Sequence, residues 1–484
     1  MSSAAITQRA ISASTASELR AHLRGELLEP DAASYDEVRQ LWNADIQRYP
    51  AVIARCVDVA DVIACVKWAR SHDVRASVRC AGHNISGAAS CEGGLVIDLG
   101  PMRGTRVDLV AQRIRAQGGC TWGEVDHAAQ AFGLATTGGV NSITGIGGLT
   151  LGGGIGWLMR KHGLACDNLV AADVVTAEGE LIRTDAEENP DLLWALRGGG
   201  GNFGIVTEFE YQLHRVGPLL AGLLMYSGER ATDMLRFYRE LAADEPEELT
   251  SFVIILNAPK APELPRELHG ARTVALCPAW SGDLGEGERV MDRLRQFGKP
   301  VVDTVDRISY VDLQKGSDEA WQPGFGRYWK SDYLRELPDE AIEVIVNHCD
   351  RFKAPTAGAG HADALSIQPT CFFEIGHMEG AISRVGDDES AVGHRSAPYL
   401  HGTFTVWREP GDREEQIRWA TELWEALLQY SDGGAYVNYL GEEGEDRIRG
   451  SYGEEKYARL VDVKTKYDPT NFFTGQQNIK PRSA

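Results

Sequence analysis

An α+β protein of two domains is the fold that this sequence predicts. Three observations lead there. At 484 residues, 43% of them hydrophobic and 25% charged, the chain exceeds what a single core fills at about 150 residues per domain. A strand, a helix and a second strand open it and lead into runs of strand around two glycine clusters, whereas residues 218–425 alternate strand and helix signals with ordinary glycine content. After 425 the sequence returns to dense short motifs. The divisions are therefore 1–217 with a core from 45, a second domain over 218–425, and a closing segment over 426–484.

The elements follow in order. Residues 12–29 read as a charged amphipathic helix, and 49–57 and 74–78 as short buried strands around a helical 61–71, which makes a β-α-β unit. Strand-like runs at 94–99, 105–109 and 113–117 precede helical spacing over 121–132. Residues 137–156 hold too few charges for a flexible linker and too many glycines for a helix, so they must wind tightly against something. Strands resume at 169–177 and 180–184 across a Glu178-Gly179 turn. A helical turn at 192–196 leads into Arg197-Gly-Gly-Gly-Gly-Asn-Phe-Gly204, and one more strand spans 205–213. In the second domain 251–256 and 273–279 read as strands and 339–351 as a helix. A closing helix over 456–467 ends at Asp468-Pro-Thr-Asn471.

Charge narrows the partners. The formal balance of 49 − 70 = −21 carries no basic block, so nucleic acid and anionic membrane are not expected partners. No apolar run reaches a membrane span and the N-terminus lacks a signal-peptide layout, which suggests a cytoplasmic address. The nine cysteines form no C-x-x-C pair, so neither a zinc cluster nor a disulfide framework is expected, and no metal site is. Glycine is the outlier: 26 of the 53 lie between 82 and 204. Close-set glycines let backbone amides approach a bulky anion, which suits a dinucleotide in an acidic protein. A phosphate loop ending Gly-Lys-Ser or Gly-Lys-Thr is absent, and the clusters do not sit in a first strand-to-helix turn as a Rossmann site requires. Taken alone, these glycines could equally make tight turns or a close sheet contact.

The order of the motifs is more specific. Arg79-Cys-Ala-Gly-His-Asn-Ile-Ser-Gly87, Gly93-Gly-Leu-Val-Ile-Asp-Leu99, the 137–156 cluster, His162-Gly-Leu-Ala-Cys-Asp-Asn168, Leu196-Arg-Gly-Gly-Gly-Gly-Asn-Phe-Gly204, Tyr436-Val-Asn and Tyr467-Asp-Pro-Thr-Asn-Phe-Phe succeed one another. In that order they resemble the FAD-linked oxidases related to vanillyl-alcohol oxidase, above all the berberine-bridge-enzyme-like branch with its bacterial members. The resemblance spans about 45–481, with the middle third matching only in layout. It implies FAD in a PCMH-type FAD-binding fold over 1–217 that the segment 426–484 completes, with 218–425 inserted between them as a substrate domain built on an antiparallel sheet covered by helices. The site lies in the cleft between them.

What the resemblance implies can be followed residue by residue. His83 matches the histidine bonded through its ring to the 8α carbon of the flavin, and a ring nitrogen is a competent nucleophile. Backbone groups of Arg79, Cys80, Ala81, Gly82 and Asn84 would line the pyrophosphate. Gly87, Gly139, Thr144, Gly145, Gly148, Leu149, Gly153, Gly154 and Ile205 are the further implied cofactor contacts, and Asn478 either touches the isoalloxazine or caps the fold. Many members add a second bond, from a cysteine just after the first glycine doublet. Here Gly138-Gly-Val is followed by Asn141, and the nearest rival, Cys166, falls at a packing position, so a single covalent bond is expected. Thr144 resembles the position that gates oxygen in plant members, where a residue smaller than Leu leaves an open path; its hydroxyl could instead bond the backbone.

Tyr436 and Asn438 form a Y-x-N motif that strand alternation would put on one face, toward flavin and substrate. A phenol with an ordinary pKa of about 10 is a poor base, so Tyr436 is either shifted by a nearby cation or keeps its proton and donates it. The strand-like 370–380, with Phe372, Glu374 and His377, and 401–407 should complete the pocket. Glu374 and His377 have opposite parity, so at most one faces the flavin; either is a candidate base ranking below Tyr436. The expected reaction removes a hydride from a C–H beside an alcohol or amine of a small organic, sugar or natural-product substrate. Molecular oxygen would be the acceptor, giving hydrogen peroxide, in a monomer or homodimer. The rival readings are a flavin dehydrogenase with another acceptor and a non-catalytic flavin- or ligand-binding protein.

Overall fold

The structure, a computed structural model, describes residues 11–260, 264–352, 370–475 and 477–482. Three sheets organise these residues. The first has four strands in the order Glu26–Leu28, Val52–Arg55, Leu95–Asp98, Ala76–Arg79, the last three parallel to one another. The helix Val59–Ser71 supplies the crossover; Asp58 caps it by accepting from the Asp61 amide at 3.1 Å. The second sheet is antiparallel, with Thr105–Asp108, Arg113–Gln117, Ile205–Gln212, Leu169–Val175 and Leu181–Thr184 in that order.

The third sheet has nine strands drawn from 219–407 and is antiparallel throughout. Its centre runs Arg272–Trp280, Leu249–Asn257, Phe372–His377, Tyr399–Trp407 and Gly326–Leu334. Every residue of Tyr399–Trp407 is buried, the alternating polar His401, Thr403 and Thr405 included: both faces of the sheet are covered. One face packs under the helices Ala231–Ala242, Asp339–Asp350 and Arg413–Leu427 through Leu235, Tyr238, Ile342, Ile345, Ala420 and Leu423. The other face turns toward the glycine-rich part of the chain, where Phe252, Ala275, Leu400 and Tyr333 meet Ile155, Met159, Leu164 and Tyr436. The C-terminal helix Glu454–Tyr467 returns to the first part of the chain, its Tyr457, Leu460 and Val463 joining the core around Leu192, Leu196 and Phe203.

Three local expectations are corrected. The helix foreseen over 12–29 covers only Ala13–His22, and 26–28 form an edge strand. The Asp61 carboxylate takes the amides of Arg24 and Gly25 at 2.7 and 3.0 Å, and a Cβ at Gly25 would lie 2.0 Å from the Arg55 carbonyl, so the chain must leave the helix there. The glycine-rich 137–156 does contain a short helix, Ile146–Leu151, whose Ile146 and Leu151 are buried despite two glycines. Tyr436-Val-Asn is not strand but enters a 3-10 turn, Val437–Tyr439.

No described helix is long and apolar enough to cross a membrane. The nine cysteines are all free thiols, and among the described residues no group of His, Cys, Asp and Glu could hold a metal ion.

Candidate active site

A cavity of about 320 Å³ lies between the glycine-rich segments and the nine-stranded sheet, within the range of small-ligand sites. It has two chemically distinct ends. One is walled by Cys80, Ala81, Gly82, His83 and Asn84, by 144–145 and 147–149, by Gly200, Gly201, Gly204 and Ile205, and by 473–475. No Lys or Arg side chain lines it, so an anion there would have to rest on backbone amides. Around the positions of Gly148, Gly201 and Gly475 a Cβ would meet nothing within 4 Å, which leaves their backbone open to the cavity.

The other end is aromatic. Trp329, Phe404 and Phe372 sit directly across neighbouring strands, with ring centroids 5.1 Å and 4.7 Å apart. Trp42 and Trp321 close one side and Tyr439 and Tyr436 the other, at centroid separations of 5.9 Å and 4.9 Å.

His83 stands where the two ends meet. Its imidazole packs on Trp42 at 5.2 Å, and both ring nitrogens are buried without a hydrogen-bond partner among the described residues. Burial, with smaller repulsion from Arg327 and Arg79, lowers its pKa to about 4, so the ring is neutral and keeps a free lone pair at physiological pH. A buried imidazole with two unused nitrogens is costly for folding alone, and this orphaned ring fits a cofactor linked there. The glycine-lined, cation-free cradle beside it fits a dinucleotide.

Tyr436 reaches the cavity from the end of its 3-10 turn. Its oxygen accepts the Gly154 and Ile155 amides at 2.8 and 3.3 Å and the Asn438 Nδ2 at 2.8 Å. With its lone pairs engaged, the phenol retains a proton to donate. Burial outweighs those three donors and pushes it up to about 12, so the phenol stays protonated at neutral pH. Asn438 spends its other N–H on the Leu149 carbonyl at 3.0 Å. A Cβ at Gly152 would fall 2.1 Å from Asn438 Oδ1, so only glycine leaves that amide in place.

Glu374 is the single carboxylate in the cavity lining. Enclosed by the sheet and the aromatic rings, it is raised to about 7 by burial, and no described residue pairs with it. His377, three residues on, points to the opposite face and does not line the cavity. Its Nδ1 sits 2.7 Å from Glu245 Oε2 and its Nε2 3.0 Å from Glu379, and Arg160 completes the cluster 2.9 Å from Glu245. The candidacy of His377 as a base is thereby corrected: strand parity turned it into a buried ion cluster.

Thirteen of the sequence-derived site positions line the cavity: Cys80, Ala81, Gly82, His83, Asn84, Thr144, Gly145, Gly148, Leu149, Ile205, Glu374, Tyr436 and Asn438. The others stand behind it. Arg79 turns its guanidinium to the Val38 carbonyl. Gly87 packs on Ile46 and Gly139 on Leu149. Gly153 accepts the Cys166 amide at 2.8 Å, while Gly154 serves the site through Tyr436. Asn478 is not a lining residue, although its Oδ1 is buried without a described partner. The Thr144 hydroxyl donates to Asn141 Oδ1 at 2.6 Å, so it bonds a side chain and not the backbone. Asn141 does line the cavity, and Cys166 does not. Sequence reasoning missed Trp42, Trp321, Trp329 and Tyr439; Phe404 falls in the 401–407 segment expected to complete the pocket, and Phe372 in the 370–380 segment.

A second, more open depression of about 680 Å³ lies beside Trp194 and contains none of these residues. Its Arg113, Arg183 and Arg459 already pair with Glu210, Glu210 and Asp388 at 3.2, 2.8 and 3.5 Å, so it presents no free cation cluster.

Known proteins resemble the chain along its length. Residues 50–185 match the family model described as FAD binding domain, and 435–480 match the one described as berberine and berberine like. The chain is 32% identical over 473 residues to (R)-6-hydroxynicotine oxidase of Paenarthrobacter nicotinovorans, covering 96% of this chain and 98% of that one. An FAD-linked oxidoreductase of Dictyostelium discoideum is 30% identical over 450 residues, 92% of each chain. The crystal structure of 6-hydroxy-D-nicotine oxidase from Arthrobacter nicotinovorans superposes with a TM-score of 0.83 at 30% identity, covering 95% and 98%. The berberine bridge enzyme of Eschscholzia californica, at 20% identity, shares the fold with a TM-score of 0.83 over 97% and 99%.

Proposed function

The chain belongs to the berberine-bridge-enzyme-like family of FAD-linked oxidoreductases, and from that premise we propose that it is an oxidase with FAD bonded to His83 alone. When bound, FAD would supply the two-electron acceptor for a hydride from a C–H beside a substrate alcohol or amine, with molecular oxygen as final acceptor and hydrogen peroxide as product. The single observation that carries the reading is His83: a neutral, orphaned imidazole at the junction of a glycine-lined cradle and an aromatic chamber.

The chain's own groups divide the remaining work. Backbone of 80–84, 147–149 and 200–201 would hold the cofactor, and Trp42 fixes the His83 ring. With Asn141 in place of a thiol, and the Cys80 thiol pushed up to about 11 by burial, no second nucleophile is ready in the cavity lining. Tyr436 keeps its proton and donates a hydrogen bond that holds the substrate heteroatom in place. Glu374, close to half ionised near neutral pH, takes the proton from the substrate O–H or N–H. The rings of Trp329, Phe404 and Tyr439 exclude water.

Two measurements test the proposal. Acid precipitation of the purified protein should leave the yellow colour in the pellet, and His83→Ala should release it; colour in the wild-type supernatant would overturn the covalent site. Reduced enzyme mixed with air-saturated buffer should reoxidise in well under a second, whereas slower decay would assign the electrons to another acceptor.

A further inference from the structure

Five Lys and Arg side chains are buried among the described residues: Arg160, Arg327, Lys330, Arg395 and Lys464. Four of them are held by a carboxylate: Arg160 by Glu245 at 2.9 Å, Lys330 by Glu443 at 2.9 Å, Arg395 by Asp167 at 2.5 Å and Lys464 by Asp468 at 2.6 Å. Arg327, 4% exposed, has no carboxylate within ion-pair distance among the described residues. Its guanidinium donates to the carbonyls of Trp42 at 3.2 Å and Gln322 at 2.7 Å, and it lies 3.7 Å over the Trp42 ring. Asn43 fixes its backbone, accepting the Arg327 amide at 2.9 Å and donating to its carbonyl at 3.1 Å. On the strand Gly326–Leu334, Arg327 shares a face with Trp329. Trp42 and Trp329 line the cavity and Arg327 does not, so the indole covers the guanidinium on that side. The same indole packs on His83 at 5.2 Å.

A buried cation without a counter-charge is costly, and the ring face and two carbonyls offset only part of the cost. A chain of net charge −21 has carboxylates to spare, so the fold leaves this one position open to a negative charge that is not its own. Burial lowers the Arg327 pKa to about 9, which keeps the group charged at neutral pH. Its field reaches the cofactor end: of the charges that act on His83, Arg327 ranks first, ahead of Arg79. Negative charge arises there during turnover. A hydride leaving a substrate C–H carries two electrons to the cofactor, while the O–H or N–H proton stays behind on Glu374. We propose that Arg327 is a positioning residue for flavin reduction, its unpaired charge acting across Trp42 to favour the reduced cofactor bonded at His83 over the oxidised one. This rests on the reading of His83 above and adds the residue that sets the electron affinity of the site. In a low-dielectric interior one charge acts over the thickness of a ring, so the guanidinium need not enter the cavity.

Anaerobic reduction of the flavin-loaded protein against a reference dye reads this without turnover. Arg327→Gln keeps an N–H donor for the carbonyls and removes the charge; it should disfavour reduction about tenfold, a midpoint potential about 30 mV lower for a two-electron couple. Arg327→Met, with neither donor nor charge, should fall by the same amount. Arg327→Lys keeps the charge without the planar fork and should stay within about threefold of wild type. All potentials are taken on protein whose flavin remains in the pellet after acid precipitation, so that a lost covalent bond is not mistaken for a lost charge. A role confined to the carbonyl bonds would instead leave Arg327→Gln near wild type and shift Arg327→Met alone. That pattern, an unmoved potential in both neutral variants, or an equal fall in Arg327→Lys would overturn the inference. A colourless wild-type pellet would sink the covalent reading on which it rests, whereas an unmoved potential with a yellow pellet sinks this inference alone.

Discussion

Asn438 donates an amide N–H to the phenolic oxygen of Tyr436 at 2.8 Å, with one residue between them. The pairing is a product of the 3-10 turn, which curls the two side chains toward each other where an extended strand would set them side by side. It fixes the direction in which Tyr436 offers its proton.

Tyr436→Phe removes that donor and leaves the ring. The kcat should fall about 10- to 100-fold, the loss of one positioned hydrogen bond to the reacting group. The pH dependence between 6 and 9 should be unchanged, because the phenol titrates at about 12. A variant whose pH profile moves in that range would show that Tyr436 acts as a base.

Gly152→Ala tests the backbone's part in the same contact. Its Cβ would lie 2.1 Å from Asn438 Oδ1, so the amide must swing off Tyr436 and the Leu149 carbonyl. Steady-state kinetics should show a kcat about tenfold lower, with a melting temperature within about 5 °C of wild type. Unchanged turnover would mean that the Asn438 contact is dispensable.

Glu374 sets the acid limb of the rate profile. If it takes the substrate proton, kcat/KM falls tenfold per unit as pH drops below about 7, where the carboxyl becomes protonated, and levels off above it. Glu374→Gln should lower kcat/KM by about 10²- to 10⁴-fold and abolish that limb. A limb that survives the substitution belongs to another group.

Lys464 holds the cofactor end together from behind. Its fully buried ammonium donates to Asp468 Oδ2 at 2.6 Å and to the carbonyls of Asn202 and Phe473 at 2.8 Å each, bridging two loops that line the cavity. Lys464→Met strands the Asp468 charge and should cost about 3–5 kcal/mol in denaturant unfolding. Flavin content at purification should drop with it. Full stability in the variant would mean that water replaces the ammonium without penalty.

His401 makes the protein acid-sensitive. It is fully buried, neither ring nitrogen has a described partner, and burial lowers its pKa to about 3. Its folded-state pKa lies below the ordinary 6.5, so its stability contribution is complete above pH 6.5 and is lost as pH falls toward 3. By pH 4 that loss is on the order of 3 kcal/mol. His401→Leu should flatten the decline of melting temperature between pH 7 and 4, and an unchanged slope would place the acid lability elsewhere.

Much of the cofactor end was legible in the chain because it depends on local covalent geometry. Close-set glycines and the order of motifs around them are properties of neighbours in sequence; the resemblance they carry implied Gly82 and His83 at the cofactor, while parity along 372–377 said only that Glu374 and His377 could not both face it, and the structure chose Glu374. The surplus of glycine and the absence of basic blocks together pointed to an anion held by amides. At the substrate end only the 370–380 and 401–407 segments were legible, because Trp42, Trp321, Trp329 and Tyr439 are separated by up to hundreds of residues and each reads as ordinary core by itself. Only sheet register and the packing of the nine-stranded sheet over the glycine-rich segments bring those rings around one carboxylate. Burial in that chamber, a property of the assembled fold, then raises Glu374 to about 7 and holds Tyr436 protonated.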